Sequence, residues 1–127
     1  MDLDQILIAN PVSDDLMCTA RYFNSLCDAI TRITEDENDV FFADDILVDV
    51  GLSARKAALL EDFEDHADAL FELLKAKAPL NATLQRYFIT RLERLQSILR
   101  VNTSLQLHAM GRVQAALSGQ ERIEQCH

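Results

Sequence analysis

The sequence predicts an all-α protein, an elongated antiparallel helical bundle with long, coiled-coil-like helices. Three observations lead there. Only three Gly and two Pro interrupt 127 residues, whereas Ala, Leu, Glu, Gln and Arg, which enter helices at little cost, are abundant. Apolar residues recur at alternating spacings of three and four along most of the chain. The last such run, from Ala82 to about Leu117, contains no Pro and only Gly111. An apolar fraction of 49% is enough to fill one core, so residues 1–127 read as one domain with flexible ends at 1–12 and 118–127.

Residues 2–9 form a short apolar piece (Leu3, Ile6, Leu7, Ile8) closed by Asn10-Pro11. Ser13, Asp14 and Asp15 then supply a cap and first-turn negative charge, which predicts a helix from about residue 14. Its stripe is Leu16, Ala20, Phe23, Cys27 and Ile30, widened by Leu26 and Ile33. Residues 35–50 admit two readings. Val40-Phe41-Phe42 and Ile46 to Val50 could pair as a β-hairpin, but no Gly or Asn sits in the connection, and helical spacing fits better. Gly51 reads as a break, with Ser53 capping a restart.

From Ala54 to Ala78 the expected stripe is Ala57, Leu60, Glu64, Ala67, Phe71 and Leu74. Asp62, Asp65, Asp68 and Glu72 fall on the wet side, and Pro79 stops the helix. Asn81 can cap the last helix, whose stripe is Leu84, Phe88, Leu92, Leu95, Leu99, Asn102, Leu105, Ala109, Val113 and Ala116. Gly119 ends it. Asn102 interrupts an otherwise apolar row, as a register-setting polar residue does.

Charge is divided unevenly. Residues 1–74 hold 18 acidic and 4 basic groups, and residues 75–127 hold 3 acidic and 8 basic, which together give the net −9. The second half should fold back on the first, and the acidic excess argues against nucleic acid as a partner. Cys18, Cys27 and Cys126 have no paired spacing, and nine residues put Cys18 and Cys27 on opposite helix faces. Reduced thiols in a cytosol follow. No basic leader or span of roughly 20 apolar residues is present, so a cytoplasmic location without membrane insertion is expected.

The sequence carries no recognisable catalytic or cofactor motif. The residues three before His66 and His108 are Phe63 and Leu105, so the Glu-x-x-His pairs of di-iron bundles are missing. Glu124 precedes His127 by three, without a second copy. The three glycines lie far apart, with no phosphate loop or nucleophile elbow. Asp62 and His66 suit an ordinary i,i+4 contact. A phosphotransfer role for His108, near Gly111, is the weakest alternative. The expectation is a non-enzyme without metal or cofactor.

Apolar surface is what remains. Beside the core stripe of the last helix lie Ile98, Val101, Leu105 and His108 on one flank and Leu107, Met110 and Leu117 on the other. Such rows either pack within a bundle or take an amphipathic helix from a partner. A methionine helps the groove adapt.

The run Glu37-x6-Asp44, then Ala54-Arg55-Lys56-Ala57-Ala58-Leu59-Leu60, then Leu95-x3-Leu99-x2-Asn102-x2-Leu105 resembles the FlgN-type flagellar export chaperones over residues 14–117. Leu105 stands where that family usually repeats an Asn. The resemblance implies a type III export chaperone that holds hook-associated proteins by their C-terminal amphipathic segment. The partner-facing residues expected on that basis are Leu99, Leu105, Leu107, Met110, Val113 and Leu117. The competing expectation is a structural or regulatory coiled coil that self-associates, as a homodimer, through the same stripe.

Overall fold

The computed structural model describes residues 2–42, 50–76 and 81–125. Four helices follow one another: α1 (Leu3–Ala9), α2 (Asp14–Phe42), α3 (Val50–Ala76) and α4 (Ala82–Gln125). No strand occurs among the described residues. Of the ambiguous stretch, residues 35–42 lie in α2 and Val50 opens α3, while 43–49 fall outside the described residues.

The leading apolar piece is a helix because Asp2 and Gln5 cap it reciprocally. Asp2 Oδ1 accepts the Gln5 N–H at 2.8 Å, and Gln5 Oε1 accepts the Asp2 N–H at 3.1 Å. Two of the four donors left orphaned at a helix start are thereby satisfied. Leu3, Ile6 and Leu7 are buried beneath α1. At the start of α2, Ser13 Oγ accepts the Leu16 N–H at 3.2 Å, the cap its position predicts.

The α2 stripe holds as expected: Leu16, Ala20, Phe23, Cys27 and Ile30 are all buried. Phe23 is fully enclosed and sits among Phe63 of α3 and Phe88 of α4, with ring centroids 4.8 and 5.6 Å away. Cys18 is exposed and Cys27 buried, on opposite faces. The buried cluster draws on all four helices.

Cross-helix contacts set direction and register. Tyr87 donates to Asn24, Arg91 pairs with Asp28, and Asn102 donates to Asn38. These pairs are separated by 63, 63 and 64 positions, so α2 and α4 run parallel and in step. Helix α3 lies antiparallel to α2: Phe63 meets Phe23 at one end, and Lys56 meets Glu37 at the other.

Three local expectations need correction. Helix α3 begins at Val50, so Gly51 lies inside it, and the Ser53 hydroxyl donates to Glu37 at 3.1 Å rather than capping a restart. One Gly costs a helix only about 1 kcal/mol, which the packing of buried Leu52 offsets. Asn81 precedes α4, but its side-chain amide donates backwards to the Leu74 carbonyl at 3.2 Å, where Gln85 also donates. It ties the end of α3 to the start of α4. For the same reason of modest glycine cost, α4 passes through Gly119 and continues to Gln125.

The α3 stripe holds in part: Leu74 is buried and Leu60, Ala67 and Phe71 pack half-buried against the core, but Ala57 and Glu64 are exposed. Leu70 is buried as well, and Leu59 and Phe63 widen the packed face on one flank. Adjacent apolar pairs (Leu59-Leu60, Leu70-Phe71, Leu73-Leu74) leave the phase open in sequence. Lys56 decides it by entering the interior, where a pattern reading excludes a cation.

Candidate partner-binding surface on the last helix

Above the phenylalanine cluster the bundle interior becomes polar. Glu37 is 4% exposed, Asn38 8% and Asn102 2%. The Lys56 ammonium lies 2.7 Å from Glu37 Oε1 and donates to Asn102 Oδ1 at 2.8 Å. The Asn102 amide in turn donates to Asn38 Oδ1 at 3.0 Å, and Ser53 Oγ donates to Glu37 Oε2. Attraction between the two ions carries the Lys56–Glu37 contact, while the directed hydrogen bond of the ammonium goes to Asn102.

Each polar group here has a particular mate on another helix. A slip of one residue in any helix would strand a buried charge or amide, at a cost of several kcal/mol. The cluster therefore fixes the register of α2, α3 and α4 together. Close by, the fully buried Thr34 hydroxyl has no hydrogen-bond partner.

The register also determines what α4 leaves uncovered. With an offset of 63 to 64, the last residue of α2, Phe42, is level with residues 105–106 of α4. The described α4 continues to Gln125, some twenty residues or roughly 30 Å farther at about 1.5 Å per residue. On this distal half Leu107, Met110 and Leu117 are 63%, 59% and 55% exposed. At about 100° per residue they share one side of the helix. Ala109, on the core side, remains buried.

The expected partner row thus divides. Leu107, Met110 and Leu117 are open and aligned. Leu105 is half-buried and lies on the other flank. Leu99 packs against the core cluster and is a structural residue, because at its level α2 and α3 are both still present. The side chain of Val113 is outside the described residues.

A second polar assembly lies at the surface between α2 and α3. Tyr22 donates to Asp62, and His66 Nδ1 lies 3.1 Å from Asp62 Oδ1, with the Tyr22 and His66 rings 4.7 Å apart. The hydrogen bond to Asp62, which favours the neutral phenol, pushes Tyr22 above its ordinary value. The i,i+4 contact read from sequence is present, and Tyr22 is an addition that spacing within one helix could not reveal. Among the described residues no group of three or more His, Cys, Asp or Glu could hold a metal ion. No described helix is long and apolar enough to cross a membrane.

Of the residues now seen to matter, Asn38 was missed and Ser53 was read as a cap. Asn38 breaks no hydrophobic pattern, so it carries no signal on its own helix. Glu37, Lys56 and Asn102, which carry the family resemblance from three separate stretches, meet within one cluster. Comparison with family models, with curated proteins and with solved structures finds no match to this chain.

Proposed function

We propose that the chain is a cytoplasmic export chaperone of the flagellar type, which holds the C-terminal amphipathic segment of a hook-associated protein against the distal half of α4. The observation behind this reading is the exposed row Leu107, Met110 and Leu117, on the part of α4 beyond the level of Phe42, the last described residue of α2. A client helix laid there would bury its own apolar face and be shielded from aggregation. Its ordering entropy would keep the complex reversible, as export requires. Met110 provides an adaptable contact. The meeting of Glu37, Lys56 and Asn102 adds support, because it gives those three residues a shared reason to be present.

Calorimetric titration of the purified protein with a peptide from the C-terminal helix of a hook-associated protein tests the reading. Saturable one-to-one binding is expected, weakened about tenfold or more (at least ~1.4 kcal/mol) by Leu107→Asp or Met110→Asp. A second reading, self-association through α4, draws on the same overhang. It predicts no peptide binding and a dimer mass by light scattering that depends on concentration.

A further inference from the structure

A groove of about 740 Å³ lies between α1, α2 and α4. It flanks α4 roughly half a turn away from the Leu107–Met110–Leu117 row. Its floor is apolar, with Ile6 and Leu95 buried and Ile98 half-buried. Its α4 wall carries Arg86, Arg91 and Arg94. Arg91 is paired with Asp28. Arg86 and Arg94 are exposed and make no hydrogen bond or ion pair among the described residues.

Asp2 is the one carboxylate among the residues lining the groove, and its side chain caps α1. Arg86 and Arg94 stand eight residues apart, about 12 Å along the helix. Val101, 46% exposed, extends the apolar floor one turn farther.

We infer that this groove docks an acidic amphipathic helix of a second protein, with carboxylates seven or eight residues apart held by Arg86 and Arg94. Its apolar side chains rest on Ile98 and Val101. Guanidinium groups suit this task because each forms paired hydrogen bonds with a carboxylate. Charge complementarity selects the occupant: three of the four charged residues lining the groove are arginines, and the apolar floor beside them suits the apolar side of a helix.

The test uses the full chain and a labelled, largely Ala/Leu helical peptide of about sixteen residues, long enough to hold helix. The peptide carries two Glu eight residues apart, and a twin carries Gln in their place. Fluorescence anisotropy should give saturable binding of the Glu peptide, weakened about tenfold or more by Arg86→Gln/Arg94→Gln and by the Gln twin. Raising salt from about 50 to about 500 mM should weaken it as well. Leu107→Asp/Met110→Asp should leave it unchanged, which separates this site from the proposed client surface. Equal binding of the two peptides, or undiminished binding by the arginine variant, overturns the inference. So does a dimer, seen by light scattering, that Arg86→Gln/Arg94→Gln dissolves, since the occupant would then be a second copy.

Discussion

The two ends of the bundle are built from the same three helices by opposite means. At the end near Phe23 the contacts are apolar and aromatic, with Phe63, Phe71 and Phe88 around one enclosed ring. At the end near Glu37 the contacts are ions and amides that each name their partner. Apolar packing is strong but tolerant, because one methyl group replaces another across a slipped interface. A buried ion pair adds little net stability, yet it makes every other register costly. In this chain one end therefore supplies most of the stability and the other supplies the alignment. The alignment fixes how much of α4 continues past α2.

The largest expected effect is at the aromatic end. Phe23→Ala should cost about 3–5 kcal/mol, read as a lower urea midpoint with unchanged slope. Lys56→Ala should cost about 2–3 kcal/mol, because it leaves Glu37 buried without its cation; the partial exposure of Lys56 holds the loss below that of a fully buried pair. If Lys56→Ala proved harmless while Phe23→Ala did not, the polar end would have no part in holding the helices together. Thr34→Val should raise stability by about 1 kcal/mol, since it removes an enclosed hydroxyl with no partner while keeping the shape.

A smaller effect depends on pH. Burial pushes the Cys27 thiol above its ordinary value, so the thiolate is disfavoured in the folded state. Any stability tied to this group is present below the unfolded-state pKa, about 8.5, and declines as pH rises through it. Peptide-resolved alkylation at mildly alkaline pH should accordingly label Cys18 quickly and Cys27 only after unfolding. Leu107→Asp and Met110→Asp should change the urea midpoint least of all, within about 0.5 kcal/mol, as both side chains are exposed. A large loss there would mean that the distal row is part of the core, and would remove the proposed binding surface.

Hydrophobic periodicity was enough to place the helices of this chain and the buried face of α2, from Leu16 to Ile30. Spacing of three and four is a local property, and few Gly or Pro interrupt it. Net charge and cysteine spacing were equally legible, down to the opposite exposures of Cys18 and Cys27. The phase of α3 was legible only in part, because doubled apolar residues fit two stripes and a lysine at position 56 reads as surface. Asn102 stood out as an anomaly in its own helix, but its mates lie 46 and 64 residues earlier in the chain. Leu99 and Leu107 looked equivalent as members of apolar rows. Only tertiary structure separated them, because burial at a given level of α4 depends on where the neighbouring helices end. A sequence determines which face of a helix is apolar; the register of its neighbours decides how far along that face is covered.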